Sequence, residues 1–158
     1  MKRLLFLPAL VGVGLMLTGC FEREPKVYEG PRQAAFAPMT SGAQFARTLT
    51  NAARADSLVV HLIEAEHHTA PITVNFTVRD TTIGTGASAS TPARSGTDYT
   101  LVDNGSITFQ PGDWAVPIRF NTLRNAAATT TRTMIVELTG GDAEPAANLK
   151  RFTVTFAR

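Results

Sequence analysis

From Asp56 onward the sequence is apolar at every second position, again and again. Ile72, Val74, Phe76 and Val78 alternate with Thr73, Asn75, Thr77 and Arg79. Successive side chains of a strand point to opposite faces, so such a run buries one set and wets the other. Leu58, Val60 and Leu62 form a fattier run just before it. Ile107 and Phe109, then Val116, Ile118 and Phe120, then Met134, Val136 and Leu138, and finally Phe152, Val154 and Phe156 repeat the pattern. Turn formers separate the runs: His67-His68-Thr69-Ala70-Pro71, Asp103-Asn104-Gly105, Pro111-Gly112-Asp113 and Gly140-Gly141-Asp142. Six or more short strands with one apolar face each imply an all-β fold, an antiparallel two-sheet sandwich. Pro117, which cannot donate to a ladder, places its strand at an edge.

Other stretches are less regular. Between Ala34 and Asp56, Phe45, Leu49, Ala52 and Ala53 fall at helical spacing, but Thr48, Thr50 and Asn51 are weak helix formers, so residues 39–56 read as helix or strand alike. Asp80 to Gly96, seventeen residues rich in Thr, Ser, Gly and Ala, exceeds a tight hairpin connection and reads as a long loop or irregular edge. Asn121 to Thr131 reads as a second polar connection. Twenty-one alanines after residue 19 leave a modest set of large core formers, enough for one core.

The amino terminus has a different character. Lys2 and Arg3 precede an apolar run from Leu4 to Leu17 and then Thr18-Gly19-Cys20, the layout of an export signal. The run is shorter than the roughly 20 residues a spanning helix needs. Leu17-Thr18-Gly19-Cys20 resembles the bacterial lipobox, which implies that Cys20 becomes the first residue of the mature chain and carries covalent lipid. Several acyl chains hold a protein to a bilayer where one does not. Cys20 is the single cysteine, so the fold forms without an internal disulfide. The expected organisation is a lipoprotein signal peptide at 1–19, a lipidated, flexible tether at 20–33 and a sandwich at 34–158. The full chain has fifteen Lys and Arg against thirteen Asp and Glu. Lys2 and Arg3 leave with the signal, the mature chain is formally neutral, and no nucleic-acid partner is expected.

Several motifs point to one family. Ser95-Gly96-Thr97-Asp98-Tyr99-Thr100-Leu101, Gly105-Ser106-Ile107-Thr108-Phe109-Gln110-Pro111-Gly112-Asp113, Val116-Pro117-Ile118 and Val136-Glu137-Leu138 resemble the Calx-beta pattern, an immunoglobulin-like sandwich. The resemblance runs over about residues 57–157 and extends to Calx-beta-like domains of small bacterial surface lipoproteins. It implies that Tyr99 packs at a strand end. Some Calx-beta domains bind calcium through consecutive aspartates after the strand that here is Val116 to Asn121. In this chain those positions are Thr122-Leu123-Arg124-Asn125. Calcium takes six to eight oxygen ligands, so that site does not carry over, and Asp98 reads as the cap of the turn before Tyr99.

The remaining candidates are a metal cluster and a ligand platform. Glu64, Glu66 and His68 would project from one face of a straight strand, and carboxylates with imidazole are zinc ligands; nothing elsewhere completes a closed set, so no metal is expected. Trp114, directly after the Pro-Gly-Asp turn, could form a sugar platform with Arg119 or Tyr28. His61 reads as an outer-face residue. No Gly-x-Ser-x-Gly elbow occurs, Cys20 is consumed by lipid, and the three histidines are confined to residues 61–68. An enzyme needs a nucleophile with its base or a held carboxylate pair; none is legible, and no cofactor beyond the covalent lipid is implied. The sequence favours a non-catalytic, lipid-anchored envelope protein that presents its sandwich for interaction or adhesion. Its expected partners are the membrane through the anchor and a protein or surface polysaccharide. The alternatives are a carbohydrate-binding accessory lipoprotein and a calcium- or other metal-binding module. Phe21, in place of an aspartate retention signal, favours the outer membrane.

Overall fold

The computed structural model describes residues 28–37, 45–79, 82 and 90–158. Cys20 and its lipobox, and most of the Asp80–Gly96 stretch, lie outside the described residues. Eleven strands are described: β1 (Gln33–Phe36), β2 (Ala46–Leu49), β3 (Arg54–Ile63), β4 (Ile72–Arg79), β5 (Thr91–Pro92), β6 (Tyr99–Leu101), β7 (Ser106–Phe109), β8 (Ala115–Thr122), β9 (Arg132–Gly141), β10 (Glu144–Pro145) and β11 (Arg151–Phe156). No helix occurs among the described residues. One sheet runs β10-β1-β3-β8-β6 and the other β2-β11-β9-β4-β7, with β5 added beside β9. The all-β two-sheet sandwich read from the alternation is the fold.

The alternation fixes which face is buried. Leu58, Val60 and Leu62 of β3 and Ile118 and Phe120 of β8 form one wall of the core. Val74 and Phe76 of β4, Phe109 of β7, Val136 and Leu138 of β9 and Phe152 and Val154 of β11 form the other. Each Val, Leu, Ile or Phe taken from water contributes about 1.5–3 kcal/mol. Val78 and Val116 are only partly buried and pack against this cluster. Tyr99 is buried at the start of β6 and stacks on Phe156, ring centroids 6.3 Å apart.

Three features differ from a purely antiparallel reading. The segment that was ambiguous between helix and strand holds β2, which lies parallel to β11 from Ala46↔Thr153 to Leu49↔Phe156. β1 and β10 also pair in parallel, as do β5 and β9. β1 and β2 therefore sit in different sheets, so the amino-terminal part of the chain contributes to both. The second polar connection starts later than expected, because β8 continues to Thr122.

Pro117 is not on an edge strand. β8 lies between β3 and β6, but β6 pairs only with Phe120, Asn121 and Thr122. Pro117 stands opposite Val59, whose carbonyl accepts from the Ala37 N–H on the β1 side. In an antiparallel ladder such a pair exchanges no bonds, so the proline nitrogen faces away from β3, beyond the end of β6. The edge is local to the first half of β8, and that is where a missing donor costs nothing.

Candidate functional site

The turn Gln110-Pro111-Gly112-Asp113 is closed from both sides. The Asp113 N–H donates to the Gln110 carbonyl and the Gln110 N–H to the Asp113 carboxylate, both at 2.8 Å. Gly112 sits at φ +90°, a conformation a side chain would strain. This turn delivers Trp114 to the start of β8, where its carbonyl accepts from the Leu62 N–H at 3.0 Å. The indole swings outward, 66 % exposed. It rests on His61, ring centroids 5.0 Å apart and planes tilted by 51°. Beside it opens a shallow cavity of about 260 Å³ lined by Leu62, Glu64, Ala65, Glu66, His67 and Trp114.

The floor of this end is a polar network. His68, 6 % exposed, places Nδ1 2.8 Å from Glu64 Oε1 and Nε2 2.8 Å from the Gln110 carbonyl. Both neighbours are acceptors, and only an imidazolium, with two N–H groups, satisfies both at once. The His68 backbone N–H also donates to Glu64 Oε1, and Arg32 Nε donates to Oε2 at 2.9 Å. The hydrogen bond to Glu64 raises the His68 pKa above 6.5 against the opposing effect of desolvation. Burial pushes Glu64 up, but the bonds from His68 and Arg32 outweigh it and hold the carboxyl below its ordinary 4.5. The network ties the β3–β4 connection to the turn that carries Trp114.

A pH dependence follows from these directions. A raised histidine contributes stability that is complete below its unfolded pKa, about 6.5, and lost as pH rises through the folded value. A lowered carboxylate contributes above its unfolded pKa and loses that contribution as pH falls through the folded value. The pair therefore contributes most in the mildly acidic window between the two. Melting temperature measured by calorimetry should fall from pH 6 to pH 9 by more in the parent than in His68→Gln. Equal slopes in the two proteins would count against the imidazolium assignment.

The opposite end of the sandwich has a different chemistry. Asp98, 2 % exposed, caps its turn by accepting from the Arg94 N–H at 2.8 Å. Its other oxygen accepts from the Asn125 side-chain amide at 2.8 Å and faces Arg132 Nε at 3.0 Å. Asn125 is in turn held by Asn51, through the Asn125 N–H to Asn51 Oδ1 and the Asn51 amide to the Asn125 carbonyl. A cavity of about 270 Å³ opens there between the Thr91–Asp98 and Asn125–Arg132 segments.

No known family matches the sequence, and no curated protein does. Solved structures do match the fold. The apo-form Calx CBD1 domain aligns at 15 % identity and TM-score 0.58, covering 80 % of this chain and 96 % of that one. The calcium binding domain CBD12 of CALX1.1 aligns at 16 % identity and TM-score 0.56, covering 79 % and 45 %. A proposed carbohydrate binding protein from Bacteroides ovatus aligns at 10 % identity and TM-score 0.54, covering 80 % of this chain but 37 % of that one.

The fold is a Calx-beta-like sandwich.

Identity this low establishes the architecture and not the chemistry. Calcium binding belongs by name to one of those neighbours; in this chain the carboxylate of Asp98 faces a guanidinium. Among the described residues no group of three His, Cys, Asp or Glu is placed to hold a metal ion.

The candidates read from sequence separate in space. Glu64 and His68 are brought together, as an ion pair tied to Arg32. Glu66 lies on the rim of the cavity beside Trp114, where among the described residues it and His67 make no hydrogen bond or ion pair. Trp114, Arg119 and Tyr28 do not line one cavity. Arg119 lines a groove of about 550 Å³ with Asp103, Val116 and Pro117 that reaches Asp113 and Ala115 on either side of Trp114 but is not lined by the indole. It is engaged by Asp103, Nη2 to Oδ1 at 2.6 Å, and this bond holds the Asp103 carboxyl below its ordinary value. Tyr28 donates its hydroxyl to the Pro31 carbonyl at 2.6 Å, its ring against Gly30. Sequence reasoning missed His61 as the indole's support. The signal was the β3–β8 register, His61↔Ala115, which single-sequence periodicity does not supply.

Proposed function

We propose that this chain is a non-catalytic, lipid-anchored protein of the bacterial cell envelope whose sandwich presents a binding surface, with the outer membrane as its location. The observation that carries the reading is the arrangement along the chain. A lipobox-like Leu17-Thr18-Gly19-Cys20 precedes a short polar segment, and β1 opens the sandwich at Gln33. Three features support a binding role over a catalytic one. The fold's neighbours named above carry binding names. His68, the one buried histidine among the described residues, has both ring nitrogens committed. The largest outward aromatic, Trp114, is supported on one side and open on the other.

The anchor is tested by fractionating cells that express the full chain. The parent should sediment with membranes and enter solution only with detergent, and Cys20→Ser should lose that association. Full membrane partition of Cys20→Ser would overturn the anchor. Protease treatment of intact cells then tells which face of the membrane carries the sandwich.

A further inference from the structure

We infer that Trp114, with the rim formed by Glu66 and His67, is a subsite for one neutral hexopyranose ring of an envelope or environmental polysaccharide. This deepens the binding role proposed above and rests on it. Trp114 is 66 % exposed, an apolar surface kept out of the core at a cost, and its backbone and one side of its ring are held in place. The Trp114 carbonyl is bonded to the Leu62 N–H, the ring rests on His61, and the turn before it is closed by Asp113 and tied to His68 through Gln110. A ligand meeting such a preformed face loses little free energy to ordering the protein.

The chemistry of the rim selects the ligand. A pyranose has an axial C–H face that lies on an aromatic ring and a girdle of hydroxyls that needs hydrogen-bond partners at its edge. Glu66 and His67 line the same cavity as the indole, and among the described residues neither makes a hydrogen bond or ion pair. The carboxylate accepts from hydroxyls, and the imidazole accepts or donates. At about 260 Å³ the cavity falls just short of the roughly 300 Å³ at which drug-sized ligand sites begin. That size takes one ring, with the rest of a polymer lying over the surface. An uncompensated carboxylate at the edge disfavours uronic acids and phosphorylated sugars, so the class is neutral.

The chain has one tryptophan, so its fluorescence reports this face alone. The full chain, in detergent micelles, is titrated with hexasaccharides of glucose, galactose, mannose and N-acetylglucosamine, and with polygalacturonate as the anionic comparator. At least one neutral oligosaccharide should give a saturable spectral shift. Calorimetry should show at least tenfold weaker binding for Trp114→Ala, a smaller loss for Trp114→Phe and a threefold to tenfold loss for Glu66→Gln. Arg119→Ala, in the groove that the indole does not line, should bind like the parent. Circular dichroism and melting temperature of Trp114→Ala should match the parent, because the side chain is outside the core; if they do not, Trp114→Phe and Glu66→Gln carry the test. Absence of a saturable response to every neutral oligosaccharide, preference for polygalacturonate, or undiminished binding by Trp114→Ala, Trp114→Phe and Glu66→Gln would overturn the subsite. None of these outcomes alters the Cys20→Ser fractionation, so the subsite and the anchored role fail separately.

Discussion

Arg132→Met is expected to destabilise the protein by about 3–5 kcal/mol, the cost of removing one partner from a buried ion pair. Asp98 and Arg132 are 2 % and 6 % exposed, so the carboxylate left behind cannot recover its lost partner from solvent. Methionine fills similar volume, and the loss reads the ion pair instead of a cavity. Asp98 would keep the Arg94 N–H and the Asn125 amide, which together do not neutralise it. The double variant Asp98→Asn, Arg132→Met removes both charges and should be more stable than Arg132→Met, so the coupling energy in the cycle should exceed the loss of Asp98→Asn alone. Urea unfolding of the four proteins provides the measurement. A loss below about 1 kcal/mol for Arg132→Met would show that the pair is solvated in solution. The pair also bears on function, because a carboxylate committed to an internal guanidinium is a poor ligand for calcium at that end. The two ends of the sandwich thus differ in chemistry: at one a carboxylate is committed to an amide and a guanidinium, and at the other an aromatic face is exposed.

The strands were legible wherever one face was buried and the other wet. Leu58 to Leu62, Ile72 to Phe76, Ile118 to Phe120 and Phe152 to Phe156 show the period of two because each side chain's burial depends on its own strand. Residues 46–49 were not legible, because four residues are too few for a period to separate from helical spacing. Their assignment comes from pairing with β11 at the far end of the chain. The same is true of β5 and β10, two residues each, and of Pro117, whose exposure depends on where β6 stops. Glu137 shows another limit. It alternates outward between Val136 and Leu138, which reads as wet, yet it is 4 % exposed. Arg79, Lys150 and Arg151 close over it, their charged heads paired with the carboxylate. Burial pushes this carboxyl up, and the three cations, Arg151 foremost, outweigh that and hold it below its ordinary 4.5.

The candidate site was half legible. Trp114 after Pro-Gly-Asp is visible as an aromatic at a turn, because turns lie at the surface and carry their neighbouring residues there. Its partners are not, since His61 and Glu66 come from β3 and its connection to β4. Arg119 and Tyr28 were attractive as a cation and an aromatic, but each is spent nearby: Arg119 on Asp103, and Tyr28 on its own turn. Glu64 and His68 have the composition of metal ligands, and their four-residue spacing lets them bond to each other.

The other large effect is expected at Gly141. It sits at φ +119°, and a Cβ there would run into the Thr73 backbone carbonyl. The site is where β9 leaves its register with β4: Val74 stands opposite Gly141 and Asn75 opposite Gly140, but Phe76 opposes Leu138, skipping Thr139. Asp142 then clamps the bulge, its N–H on the Thr73 carbonyl and its carboxylate on the Thr73 N–H, both at 2.8 Å. Gly141→Ala imposes a backbone cost of about 1–3 kcal/mol, and clearing the carbonyl displaces a strand in a well-packed sheet, about 1–3 kcal/mol more. The expected loss is roughly 2–6 kcal/mol by urea unfolding. Gly112→Ala separates the two contributions. Gly112 is also in the left-handed region, at φ +90°, but nothing lies within 4 Å of its would-be Cβ, so only the backbone cost of about 1–3 kcal/mol applies. A Gly141→Ala variant no less stable than Gly112→Ala would mean that β4 yields to the methyl group, and the close approach of β9 to Thr73 would then be adaptable instead of fixed.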